Sequence, residues 1–254
     1  MLTILGLAII LFAFGYWFIN LIPKANVDLS KTLTQSIPYL SENQFAKRGK
    51  ILAVVTSTDM MGSSSKATGY ELTKLSRAYY VFEANGFEVD VASPKGGKPN
   101  RIIDDEDMGI YDFAFLIDPI AQRKTENTLL ISEVELADYQ AIYFVGGKGA
   151  MYDFPDNTHI KSIVSDYYQS GKVIGAVCHG PAALVNVTLE GSQSILEDKT
   201  VCSFTNNEEL FLIPDAENIS PFLLEDKLIQ GGAEFVEGSM YLENVIQDGN
   251  IITG

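Results

Sequence analysis

Cys178 and His179 stand side by side at the end of an apolar run, Val173-Ile174-Gly175-Ala176-Val177, and are followed at once by Gly180-Pro181-Ala182-Ala183-Leu184. That order reads as a buried strand, a sharp turn and the start of a helix, the arrangement that lifts a nucleophile out of a sheet. A thiol at a helix start faces unpaired backbone N–H groups and the positive end of the helix dipole. Both favour the thiolate and predict a lowered pKa. The chemistry on offer is attack of sulfur on an electrophilic carbon, with the adjacent imidazole as proton acceptor. The competing reading is a small buried cysteine closing a core strand, and the immediate His179, Gly180 and Pro181 argue against it.

The rest of the composition narrows the field. Cys178 and Cys202 are the two cysteines and fall in different predicted strands, so no disulfide framework or zinc spacing is present. His159 and His179 are the two histidines, which excludes a multi-histidine metal site and leaves open a mixed carboxylate and cysteine site. No metal and no cofactor are expected. A net charge of −15 without a basic cluster excludes a nucleic-acid partner, whose phosphates demand a positive footprint.

Positioning that cysteine is the task of the surrounding elements. Ile51-Leu52-Ala53-Val54-Val55 is a continuous apolar run of the kind buried on both faces of a parallel sheet. Leu72, Leu75, Tyr79 and Phe82 recur at helical spacing before Asn85-Gly86, a helix C-terminal signal. Strands are expected at Phe87 to Ala92, at Ala141 to Val145, at the cysteine run and at Thr200 to Phe204. An acidic, loop-like excursion through Asp104, Asp105, Glu106 and Asp107 separates the first two of these. Asp156 or Asn157 caps a helix carrying Ile160, Ile163, Val164 and Tyr167 and closed by Gly171, and Asp248-Gly249 turns a hairpin over Asn244 to Thr253. Alternation of this kind predicts a parallel sheet between layers of helices.

Ahead of the domain, Leu2 to Ile22 carries no charged side chain and is long enough to cross a roughly 30 Å hydrocarbon core as one helix. Residues 1–23 are therefore expected to be an uncleaved transmembrane anchor, 24–48 a polar tether and 49–254 the domain. Lys24, Lys31, Lys47, Arg48 and Lys50 follow the span, so the positive-inside tendency predicts a single-pass membrane protein with its domain in the cytoplasm.

Several segments together resemble the DJ-1/PfpI superfamily, with its class I glutamine amidotransferase-like fold, in the branch of Hsp31-type chaperones and glutathione-independent glyoxalases. They are Thr68-Gly69-Tyr70-Glu71-Leu72, Tyr79-Tyr80-Val81-Phe82, Gly86-Phe87-Glu88-Val89-Asp90-Val91-Ala92-Ser93-Pro94-Lys95-Gly96-Gly97, Gly146-Gly147, Met151-Tyr152-Asp153-Phe154-Pro155, and Ala176-Val177-Cys178-His179-Gly180-Pro181-Ala182. The fold class is thus expected to be α/β, a flavodoxin-like three-layer sandwich with a mostly parallel central sheet, preceded by the transmembrane helix. The resemblance implies Cys178 as nucleophile, His179 as its proton-accepting neighbour, Glu209 as the acid orienting that histidine, and a homodimer. Backbone N–H groups of Gly147, Lys148 and His179 would form the oxyanion hole.

Two departures from the family pattern bear on activity. Counting forward from Thr68-Gly69, the glutamate that serves the branch as base falls at Lys74. Glu71, three residues earlier and on the same helix face, is the candidate substitute. Lys148 stands where the family often has histidine and Arg77-Ala78 where it has His-Pro, which predicts a more cationic pocket. The resemblance implies a final helix beyond Ile252-Thr253-Gly254, so either a fragment or a naturally shortened domain is expected. The expected functions are a glyoxalase acting on a small carbonyl such as methylglyoxal, or a cysteine amidase or peptidase-like hydrolase. The alternative, suggested by Lys74, is a non-catalytic redox sensor, holdase or scaffold.

Overall fold

Ile51-Leu52-Ala53-Val54-Val55 is apolar at every position because both faces of its strand are covered. In the computed structural model, which describes residues 29–37, 40 and 45–254, Leu52 and Val54 pack with Ile142, Phe144, Ile160 and Val164 on one side. Ala53 and Val55 pack with Leu72, Leu75 and Tyr79 on the other. Successive side chains of a strand point to opposite faces, so a run with no polar member marks the central layer of a sandwich.

The strands in chain order are β1 (Gly49–Val54), β2 (Tyr70–Glu71), β3 (Phe87–Ser93), β4 (Arg101–Ile102), β5 (Leu129–Leu130), β6 (Tyr139–Phe144), β7 (Val173–Ala176), β8 (Thr200–Val201), β9 (Glu234–Phe235), β10 (Ile246–Asp248) and β11 (Ile251–Thr253). Seven of them form the main sheet in the order β10-β11-β7-β6-β1-β3-β5. All its pairings are parallel except the hairpin, in which Ile246 faces Thr253 and Asp248 faces Ile251 across the turn at Gly249. From β1 the chain first builds outward through β3 and β5, then returns to β6 on the opposite side. That reversal opens a crevice at the C-terminal ends of β1 and β6, where α/β sheets bind ligands.

Helices α1 (Leu72–Ala84), α2 (Ile110–Ile117) and α3 (Pro119–Glu126) cover one face; α4 (Ala150–Asp153) and α5 (Thr158–Gln169) lie on the other, and α6 (Asn206–Leu212) borders the crevice. The Asn157 side chain accepts from the N–H groups of His159 and Ile160, so of the two candidate caps for α5 the chain uses Asn157. Helices α2 and α3 occupy what the sequence suggested was part of a loop-like stretch. Their signals are nevertheless present: Asp112 accepts from the Gly109 N–H at the start of α2, and Asp118 caps α3 with Pro119 in its first turn. The strand expected over Thr200 to Phe204 is only the two residues of β8, which pair with β9 outside the main sheet.

The membrane-crossing helix expected ahead of the domain is not upheld. Among the described residues no helix is long and apolar enough to cross a membrane. A crossing takes about 20 apolar residues, whereas the longest described helix, α1, has 13 and is apolar on one side only. Residues 2–22, on which that expectation rests, lie outside the described residues. The fold class is therefore corrected to a flavodoxin-like α/β sandwich with a mostly parallel sheet. The single-pass membrane localisation, its cytoplasmic orientation and the membrane as a partner are withdrawn with the anchor.

Candidate active site

The turn after β7 is tighter than a strand-to-helix elbow. Cys178 sits in the left-handed region at φ 59°, a conformation that costs a side-chain-bearing residue about 1–3 kcal/mol. Its backbone is gripped from both sides: the Cys178 N–H donates to the Gly254 carbonyl at 2.6 Å, and its own carbonyl accepts from the Phe204 N–H at 3.0 Å. The chain then enters a five-residue 3-10 turn, Gly180–Leu184, rather than an α-helix. The dipole expected to lower the thiol pKa is correspondingly weak.

Burial, the largest influence, pushes the Cys178 thiol well above its ordinary value. The Glu71 carboxylate adds to the rise, while Lys74, Lys148 and the His179 backbone N–H oppose it. The direction is the reverse of the sequence expectation. A thiol in a closed, carboxylate-flanked setting rests protonated, and sulfur gains its charge only as its proton leaves.

A route for that proton is in place. Cys178 Sγ lies 3.2 Å from His179 Nδ1, and His179 Nε2 lies 2.7 Å from Glu209 Oε2. All three residues are buried. Burial alone would raise the Glu209 carboxyl, but the bonds and charges of His179 and Lys148 outweigh it and hold that carboxyl down at about 2. Lys148 Nζ donates to the second oxygen, Oε1, at 2.6 Å. Glu208, the other carboxylate in Thr205-Asn206-Asn207-Glu208-Glu209, has a different job. It closes a capping box with Thr205 at the start of α6 and accepts from the Tyr241 N–H at 2.7 Å. One glutamate thus fixes the helix that presents the other.

Glu71 and Lys74 both line the crevice, as their spacing of three predicted, but Glu71 is the one at the sulfur. Its carboxylate, the Cys178 sulfur and a ring nitrogen of His179 lie within 4.8 Å of one another. The cause is local. Gly146 packs so close to the cysteine that a Cβ there would come within 2.7 Å of Cys178 Cβ, and the Gly146 carbonyl accepts from the Glu71 N–H at 3.1 Å. Gly147, at φ 122°, leaves room for the backbone of Gly69 and Tyr70. Two glycines therefore act as the spacer between the two chain segments and bring residue 71 beside the thiol. Glu71 stands at the N-cap of α1 without capping it, so its carboxylate is left to face the site.

Lys74 Nζ instead lies 3.9 Å from Asp107, and Arg77 pairs with Asp107 and the buried Asp112, each at 3.1 Å. The crevice has a volume of about 1180 Å³ and is lined by seven acidic side chains and three basic ones, Lys74, Arg77 and Lys148. The backbone N–H groups of Gly147 and Lys148 donate to no protein acceptor among the described residues, which leaves them available to a substrate oxygen.

Glu71, Cys178 and His179 also offer an oxygen, sulfur and nitrogen donor set for a metal ion. Both ring nitrogens are already engaged, so an ion would bind at the cost of the Cys178–His179–Glu209 chain. Sequence reasoning missed Phe204 as a site residue. Its ring lies over the imidazole at 4.6 Å between centroids and carries Lys148 Nζ at 4.9 Å on its own face. The only signal for it was its place two residues past Cys202 in the run leading to Glu209.

A model of the DJ-1/PfpI family matches residues 65–206, more than half of the chain. The glutathione-independent glyoxalase HSP31 of Saccharomyces cerevisiae is 28% identical over 225 residues, covering 82% of this chain and 92% of that protein. The glutathione-independent glyoxalase hsp3102 of Schizosaccharomyces pombe is 28% identical over 200 residues, covering 74% and 83%. Among solved structures, the Rapid Encystment Protein 24 KDa of Francisella tularensis superposes with a TM-score of 0.76 at 38% identity, covering 81% of this chain and 91% of that one. Glyoxalase III of Candida albicans has the same fold, with a TM-score of 0.72 at 24% identity over 81% and 90%.

Proposed function

Since the chain belongs to the DJ-1/PfpI family, in its Hsp31-like branch, we propose that it is a glutathione-independent glyoxalase that converts a 2-oxoaldehyde such as methylglyoxal to the 2-hydroxy acid through Cys178. The observation that carries this reading is the Glu71 carboxylate within 4.8 Å of the thiol. It supplies the base that Lys74 could not, and so removes the reason for preferring a sensor, holdase or scaffold.

In the first step the Cys178 thiol passes its proton to His179 Nδ1 as sulfur adds to the aldehyde carbon, and the alkoxide takes that proton back to give a hemithioacetal. Glu71 removes the hydrogen from the former aldehyde carbon and, through the enediol, returns a proton to the neighbouring carbon. A thioester of the 2-hydroxy acid results. Water then cleaves the thioester, releasing the acid and restoring the thiol; the sum is oxoaldehyde plus water to hydroxy acid. Amides of Gly147 and Lys148 are the donors for the oxyanions formed on addition and hydrolysis. Glu209, ionised and bound to Nε2, holds the imidazole with Nδ1 toward sulfur.

Turnover of methylglyoxal without glutathione, followed as lactate, tests the assignment in the native chain and in Cys178→Ser, Glu71→Gln and Lys74→Glu. Native protein is expected to turn over, Cys178→Ser to lose at least about a thousandfold and Glu71→Gln about a hundredfold. Glu71→Gln should at the same time alkylate faster with iodoacetamide at pH 8, because a charge that raises the thiol pKa has gone. Glu71→Gln with native turnover would overturn the role of Glu71. Activity gained only in Lys74→Glu would return the protein to the non-catalytic reading.

A further inference from the structure

A three-carbon aldehyde leaves most of a crevice of about 1180 Å³ empty, since sites for much larger ligands run to about 300–1,000 Å³. The wall beyond the reacting sulfur is not uniform. From the imidazole of His179, rings succeed one another outward: Phe204 at 4.6 Å, Tyr241 at 6.3 Å from Phe204, and Phe211 at 6.3 Å from Tyr241. Leu212, Leu242 and Val245 extend this side of the mouth and are each more than half exposed. The wall is also fixed. Tyr241 is held at φ 58° with its N–H on Glu208, so the apolar side is tied to the same capping carboxylate that starts the helix bearing Glu209.

The loop Asp104 to Asp107 lines the crevice with Lys74 and Arg77 paired to Asp107, while Lys148 sits over the face of Phe204. Each cation lining the crevice already faces a carboxylate: Lys148 faces Glu209, Lys74 faces Asp107, and Arg77 faces Asp107 and Asp112. With seven acidic side chains around the cavity, a phosphate or carboxylate on the substrate meets repulsion. An uncharged apolar group meets a prepared surface.

Resting on the glyoxalase reading, we infer that the preferred substrates are 2-oxoaldehydes bearing a bulky, uncharged apolar or aromatic substituent, which lies along Phe204, Tyr241 and Leu242 while its aldehyde carbon meets Cys178. The substituent contributes binding in ground and transition states alike, so the preference is expressed mainly in KM.

The test is kcat/KM of the full chain for methylglyoxal, phenylglyoxal and 4-carboxyphenylglyoxal, in native protein and in Tyr241→Ala and Leu242→Ser. Phenylglyoxal is expected to exceed methylglyoxal by roughly tenfold or more, the range reached when apolar groups fill a matching pocket. The carboxylated analogue should fall at least about fivefold below phenylglyoxal, and the gap should narrow with salt. In both variants the ratio of phenylglyoxal to methylglyoxal should drop by at least about threefold. Methylglyoxal turned over as well as or better than phenylglyoxal by native protein, or a ratio unmoved in both variants, overturns the substrate inference and leaves the glyoxalase reading standing. Failure to turn over any of the three aldehydes overturns both.

Discussion

Two carboxylates, the buried Glu209 and the half-buried Asp153, flank the segment that runs from Gly146 through α4, and they are driven in opposite directions. Glu209 bonds to His179 and to Lys148 of that loop and is held down at about 2. Asp153, at the far end, accepts from Thr56 Oγ1 at 2.8 Å and from the Ser57 N–H at 2.7 Å; burial outweighs these neutral donors and pushes it up to about 6. Burial penalises both charges; the His179 bond and charge, with Lys148 adding to them, overcome it at Glu209, whereas the hydroxyl and amide donors and the Lys95 charge do not at Asp153. A carboxylate that must stay ionised beside an imidazole is given a lysine. One that only ties a loop to the end of β1 is given a hydroxyl and an amide.

Linkage turns this contrast into opposite slopes. The unfolded chain titrates near 4 for both groups. Glu209, lowered on folding, contributes stability above about 4 that is lost as pH falls toward 2; Asp153, raised on folding, makes stability fall as pH rises from about 4 to about 6. The sharpest way to break the contrast is Glu209→Gln. It should cut kcat by about 10²–10⁴-fold, because the imidazole loses its ionised partner. It should also cost about 2 kcal/mol at pH 7, since the half-buried Lys148 loses its charged hydrogen-bond partner. Urea melts at successive pH values should show the deficit closing between pH 4 and pH 2.

Lys148→Met is the milder version. With the Lys148 charge gone the Glu209 carboxyl moves up toward its ordinary range, so the acid limb of the stability curve should shift to higher pH. Methylglyoxal turnover is expected to drop roughly tenfold. An acid limb that stays in place would assign the lowering to His179 alone. Asp153→Asn should have the smallest effect. With no charge to bury, it should flatten the decline in stability between pH 4 and pH 6 while changing turnover less than threefold. Turnover lost by tenfold or more would mean that this tether sets the geometry of Gly147 and Lys148.

The fold was legible where one physical signal dominated. Ile51 to Val55 announced a doubly buried strand, and Leu72, Leu75 and Tyr79 a one-sided helix, because each pattern has a single way to bury itself. Ile110 to Ile117 was illegible because a mostly apolar octet behind four acidic residues has no clear period, and only its caps mark it. In the site, Cys178, His179 and Glu209 stood in recognisable motifs. Which helix side chain lies at the sulfur did not, because counting along the helix led to Lys74, whereas proximity is set across the sheet by Gly146 and Gly147. The direction of the thiol shift escaped for the same reason: the burial of the sulfur and the Glu71 charge beside it come from elements distant in sequence.

The hydrogen bond from the Cys178 N–H to the Gly254 carbonyl ties the nucleophile's turn to a strand made much later in synthesis. Ribosomes add about 5–20 residues per second, so an emerging chain carries its cysteine for several seconds before β11 can slot beside β7. During that interval the left-handed turn has no clamp, and the thiol is an ordinary exposed one. Docking of β11 beside β7 is therefore what fixes the Cys178 turn and takes its thiol out of water, a change from exposed to buried sulfur that waits for a strand made long after the cysteine.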